Sequence, residues 1–125
     1  MKILTNIFIT VILSGNVPKD DTVKVTATVY NAVAAQCNED FGHTATMFEL
    51  DLKNPYKHRI IAISRDLEEL GFKMNSKVIV SGTGKYDGEW IIRDRMNKRF
   101  TKKIDFLINK DMGLGRWYNV TIKLI

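Results

Sequence analysis

The chain has 125 residues, 45% of them apolar, and a formal charge of +5 with a pI near 9.4. That length suits one domain, and the apolar fraction can form a core rather than a disordered chain. The single cysteine, Cys37, excludes an intramolecular disulfide and a cysteine-rich zinc framework, whereas the basic charge is compatible with nucleic acid, anionic lipid, acidic polysaccharide or plain solubility.

Lys2 is followed by an apolar stretch, Ile3, Leu4, Ile7, Phe8, Ile9, Val11, Ile12 and Leu13, which breaks at Ser14, Gly15, Asn16 and Pro18. A charged start, a short hydrophobic region and small residues form the layout of a secretory signal, so residues 1–21 read as a signal peptide or N-terminal extension ahead of a domain at 22–125. The stretch is short of the roughly 20 apolar residues that a stable membrane span needs. Export to the periplasm or cell exterior is the expectation, with a phage-associated origin compatible. A strand or helix packed on the domain is the alternative.

Val23, Val25, Ala27 and Val29 alternate with Lys24, Thr26, Thr28 and Tyr30, the period-two pattern of a strand with one buried face. Asn31 to Leu52 is less regular, and Asn54 and Pro55 mark a turn. Arg59 to Ile63 forms a second apolar run, leading to Ser64 as the cap of a short helix over 66–70 that Gly71 ends. Lys77 to Ser81 is strand-like, and Gly82, Gly84 and the pair Asp87 and Gly88 supply hairpin turn chemistry before Trp90, Ile91 and Ile92. Ile104 to Ile108 is a further core strand, 110–116 a turn or frayed helix, and Val120, Ile122 and Leu124 alternate to close the chain. About six short strands, one or two short helices and no repeat predict a mainly β domain, and closure into a small barrel disposes of its exposed edges.

Two aspartates interrupt these runs. Asp94 follows Ile91, Ile92 and Arg93, and Asp105 sits among Ile104, Phe106, Leu107 and Ile108. Aspartate is disfavoured in strands and is rarely buried without a partner or a role. If both face one cleft, burial and mutual repulsion raise one of them into a proton donor; otherwise each accepts backbone hydrogen bonds or pairs with a nearby arginine. Between them Arg93, Arg95, Lys98, Arg99, Lys102 and Lys103 gather positive charge suited to phosphate or carboxylate, or form a solvated loop. Neither a recognition helix nor aromatics spaced on a sheet accompanies that run, so nucleic acid is not the expected partner. The glycines lack the phosphate-loop pattern, and no histidine and acid spacing resembles a metal site. No cofactor is expected. Cys37 reads as a small buried hydrophobe, and His58 beside Arg59 as a residue without catalytic role. Tyr86, Trp90, Trp117 and Tyr118 suit stacking on sugar rings or anchoring the core.

Taken in order, Ile61 to Ser64 (IAIS), KVIVSGTG at 77–84, IIRD at 91–94 and IDFLI at 104–108 resemble the three-aspartate (3D) domain, which belongs with the lytic transglycosylase and RlpA-like double-psi β-barrels. GHTAT at 42–46 is similar to that family's earlier threonine motif, and the eleven residues from Asp94 to Asp105 match its spacing. The likeness spans about two-thirds to four-fifths of the chain. It implies a small closed six-stranded double-psi β-barrel acting, as a monomer, on peptidoglycan glycan strands. Asp105 falls on the family's catalytic aspartate, which protonates the bond between N-acetylmuramic acid and N-acetylglucosamine and leaves a 1,6-anhydro end. Asp94 falls on its supporting aspartate. His43, Thr44, Ser64, Asp66, Arg95, Asn97 and Lys98 fall on or beside substrate-binding positions. The chain departs from the pattern where Ser64 replaces the first aspartate and where MNKRFTKK at 96–103 replaces a glycine-rich loop. A non-catalytic glycan-binding or structural barrel is the alternative that these departures favour.

Overall fold

The computed structural model describes residues 22–32 and 44–125; the candidate signal segment, Cys37 and His43 lie outside them. The described residues form six strands: β1 (Thr22–Asn31), β2 (Ile60–Ile63), β3 (Lys77–Ser81), β4 (Gly88–Arg95), β5 (Lys103–Ile108) and β6 (Arg116–Leu124). They close into one mixed barrel in the order β1-β5-β2-β4-β3-β6. The β1–β5 and β2–β4 pairs are parallel and the other four antiparallel, so every strand has two partners and no edge is left open.

The alternation in β1 is realised as expected: Val25 and Ala27 face inward and are buried, with Val23 and Val29 packed against the same core. Inward residues from the other strands complete it, notably Ile61, Ile63, Val78, Val80, Trp90, Ile92, Ile104, Phe106, Val120 and Ile122. Phe106 and Trp90 meet at a ring-centroid distance of 4.7 Å. Tyr86 joins them, its carbonyl accepting the Trp90 indole N–H at 2.7 Å. These aromatics are therefore core anchors, and of the four candidate stacking residues Tyr118 alone is highly exposed. All four residues of β2 are buried, because the outer face of this strand is covered as well.

The short helix α1 (Asp66–Glu69) forms where expected, and Gly71 ends it with φ of 103°. Its start corrects the sequence expectation. Arg65 occupies the cap position with no side-chain cap bond, while the Ser64 hydroxyl is turned to β5, where it accepts the Lys103 N–H at 2.9 Å. Pairing with the strand at its back outcompetes capping the helix in front. Two single 3-10 turns, Pro55–His58 and Lys110–Met112, occupy regions whose sequence reads as turn. No helix among the described residues is long and apolar enough to cross a membrane.

Phe106 fills the barrel between the Trp90, Tyr86 and Trp117 rings. Replacing it with alanine is expected to cost about 3–5 kcal/mol, read as a lowered urea midpoint with the slope retained.

Candidate functional site

A row of paired residues crosses the outside of the barrel. On β2, Ala62 is the register partner of Asp94 on one side and of Asp105 on the other. Asp105 in turn pairs with Thr28 of β1, and Thr28 with Arg116 of β6. Directly paired residues share a face, so Arg116, Thr28, Asp105, Ala62 and Asp94 lie side by side. Their sequence neighbours Ala27, Ile61, Ile63, Ile104 and Phe106 point into the core instead.

Asp94 reaches this face through an irregularity. Ile61 pairs with Ile92, yet Ala62 pairs with Asp94, so Arg93 is an extra residue in β4. Strict alternation would send Asp94 inward with Ile92; the bulge turns it to the face of Asp105. There its Oδ1 accepts the backbone N–H of Ala45 at 3.1 Å and of Arg95 at 2.9 Å, and its Oδ2 accepts the Tyr30 hydroxyl at 3.3 Å. Asp94 thus fastens the turn that begins at Thr44 to the barrel wall. That turn is also closed from within, since the Thr44 Oγ1 accepts the N–H groups of Thr46 at 3.3 Å and Phe48 at 3.2 Å.

Asp105 is placed differently. Its Oδ1 accepts a hydrogen bond from the Thr28 hydroxyl, and no backbone N–H serves it among the described residues. Burial raises both carboxyls above the ordinary value of 3.8, and it outweighs the hydrogen bonds that act the other way. For Asp105 the charge of Asp94 adds to the rise, behind burial, the Thr28 bond and Lys103 in size. Burial is therefore the main cause, and mutual repulsion the lesser one. The geometry explains this: two strand spacings separate the aspartate backbones, roughly 10 Å, with only the methyl group of Ala62 between.

Beyond Thr44, whose turn Asp94 holds, the predicted residues among those described direct their side chains elsewhere. Ser64 is fully buried and continues the same outer face beside Lys103, two residues beyond Ala62. Asp66 sits at the start of α1, accepting the Lys102 N–H at 3.0 Å; burial pushes its carboxyl up, but that bond and one from Ser64 hold it below the ordinary value. Arg95 is turned to Glu68, donating from Nε at 2.8 Å and from a terminal nitrogen at 3.0 Å. Asn97 accepts the Arg99 N–H within an exposed turn, and Lys98 is exposed on it. The basic run is thus partly spent internally: Arg93 lies over the Phe48 ring at 4.3 Å and donates to Asn75, and Arg99 and Lys103 flank the Phe100 ring.

A concavity of about 220 Å³ lies further along β4, lined by Phe48, His58, Arg59, Glu89, Ile91 and Arg93 among others. Neither aspartate lines it. His58 accepts the Asp51 N–H on Nε2 at 3.0 Å and meets Phe48 edge-on, and burial lowers its pKa, so it stands there as a neutral structural ring. Among the described residues no cluster of His, Cys, Asp and Glu suits a metal ion.

Four residues of the row or its surroundings escape sequence reasoning: Thr28, Tyr30, Ala62 and Arg116. Thr28 and Tyr30 read as ordinary outward positions of β1, and Ala62 as one more apolar residue. Only strand pairing brings them to the aspartates. Comparison with protein-family models and with curated proteins finds no match.

A carboxyl whose pKa is higher folded than unfolded binds its proton more tightly in the native state. Its contribution to stability is therefore lost as pH rises from 3.8 through the raised folded value. Asp105→Asn removes this loss and keeps an acceptor for Thr28. The variant is expected to exceed the parent in urea midpoint at about pH 7, with the gap closing at about pH 3; a gap of constant size would show that Asp105 titrates normally.

Proposed function

We propose that this protein is a peptidoglycan lytic transglycosylase-like enzyme on a double-psi barrel, exported to act on cell-wall glycan, with Asp105 as its general acid. The observation that supports this most is the environment of Asp105: an outward but largely desolvated carboxyl, raised by burial, with one hydroxyl donor on Oδ1. Such a carboxyl holds its proton to higher pH than an exposed aspartate and retains an oxygen from which to give it. The ordered motifs that resemble the three-aspartate domain supply the substrate.

In this proposal Asp105 protonates the glycosidic oxygen linking N-acetylmuramic acid to N-acetylglucosamine, and the bond from C1 of the muramic sugar breaks. The sugar's own 6-hydroxyl closes on C1, and its proton returns to Asp105, so that a 1,6-anhydro end forms without water. Asp94 accepts three hydrogen bonds, each of which favours its ionised form, and in this proposal it supplies negative charge on the same face as positive character develops at C1. Thr28 is a positioning residue. Its hydroxyl occupies Oδ1 as an acceptor and so directs the transferable proton to Oδ2.

Digestion of purified peptidoglycan followed by mass analysis is expected to show anhydromuramyl ends, reduced about 10²- to 10⁴-fold by Asp105→Asn. Absence of those ends, alongside an active control enzyme, rules out the enzyme. Sedimentation with sacculi that persists in the Asp105→Asn protein would then favour a glycan-binding barrel.

Thr28→Val removes a bond that favours ionised Asp105. It is expected to move the alkaline limb of the pH–rate profile upward while lowering kcat, with Thr28→Ser restoring both. An unmoved limb would leave Thr28 a purely structural residue.

A further inference from the structure

Arg116 begins β6 directly opposite Thr28, which is directly opposite Asp105. Lys103 lies two residues before Asp105 on β5 and pairs with Thr26, two residues before Thr28 on β1. Arg116 therefore rises from the outer face on the side of Asp105 away from Asp94, and Lys103 rises from the same face of β5 itself, two residues along the strand from Asp105. Neither has an acid partner in an ion pair among the described residues. No hydrogen bond or ion pair joins the Arg116 side chain to another described residue, and the Lys103 ammonium lies 4.4 Å from the centre of the Phe100 ring without an acid partner among them. Other arginines near the site are committed: Arg95 to Glu68, Arg93 to Asn75 and Phe48, and Arg65 to the Met96 carbonyl.

We propose that Lys103 and Arg116 form a cationic subsite beside Asp105 that seats a carboxylate carried by the saccharide substrate. The proposal rests on the function assigned above and specifies its substrate as an acidic glycan. Its physical basis is a conflict among the groups around Asp105. Asp105 is faced by Lys103 from its own strand, by Thr28 and Arg116 from β1 and β6, by Ala62 from β2 and by Asp94 from β4. Burial and Asp94 hold its proton on, whereas Thr28 and the two cations favour its release. Two cations with no ion-pair partner among the described residues work against a proton donor beside them until something neutralises them. A substrate carboxylate does so on binding, is held by charge-assisted hydrogen bonds, and raises Asp105 towards the protonated form that the reaction uses. Recognition of the acidic sugar and arming of the acid then become one event.

The test compares glycan oligomers bearing free carboxylates with the same oligomers after amidation. The full chain is expected to prefer the carboxylated form, and the alkaline limb for kcat on it to lie above that for kcat/KM, since the first reports the complex and the second the free enzyme. Arg116→Gln and Lys103→Gln are each expected to raise KM for carboxylated oligomers about three- to tenfold and to shrink the preference, with Arg116→Lys keeping most of it. Equal kcat/KM for the two oligomers, or a preference that survives Arg116→Gln and Lys103→Gln together, overturns the subsite while leaving the enzyme standing. Equilibrium binding to the Asp105→Asn protein separates the opposite case. If no oligomer is cleaved but carboxylated oligomers bind and the glutamine substitutions weaken them, the subsite stands and the enzyme falls. Neither cleavage nor binding overturns both.

Discussion

The arrangement on the barrel's outer face depends on one extra residue in β4. Ile92 is fully buried in the core, and an aspartate two residues later in a regular strand would point the same way. Burying an ionised carboxylate there without a partner would cost several kcal/mol. The shift at Arg93 turns Asp94 outward while leaving Ile92 in place, and it does so beside Ala62, the central member of the row. A larger residue than alanine at that point would stand between the two acids. The short strand β2 thus has two tasks: with Ile61 and Ile63 it closes the core, and with Ala62 it sets the spacing of the carboxyls.

The two aspartates share a face and a raised pKa but not an environment. Asp94 has two backbone N–H groups and the Tyr30 hydroxyl, the pattern of a carboxylate that holds a turn in place. Asp105 has a single hydroxyl and more cations near it. Differences of this kind are the basis on which the proposed function gives the two chemically identical side chains unequal roles.

Positive charge follows the same division between structure and chemistry. Read along the chain, 93–103 gathers six basic residues. Folded, its arginines separate: Arg95 braces α1 through Glu68, Arg93 covers Phe48, and Arg99 lies on Phe100. The cation that shares the row with Asp105 comes from β6, beyond the run altogether, because β1 lies between β5 and β6 in the barrel. Of the two cations beside Asp105 only Lys103 belongs to the run, so charge density in sequence was a partial guide to charge beside Asp105.

Period-two alternation, turn residues and the short apolar runs were enough to mark the segments that become strands, to expect about six of them, and to place the helix after Ser64 and the need for closure, since these follow from local geometry and from burying one face of each strand. The prominence of Asp94 and Asp105 was equally legible, because an acid inside an apolar run is conspicuous without any structure. Strand order was not, as pairing joins residues as far apart as Thr28 and Asp105 through a parallel crossover that no local signal encodes. Hence Thr28, Tyr30, Ala62 and Arg116 stayed hidden, and Ser64 looked like a helix cap when its hydroxyl serves β5. By itself the sequence determined which residues are out of place; the tertiary structure decided what stands beside them, because neighbours on a barrel face are set by register and bulges rather than by distance along the chain.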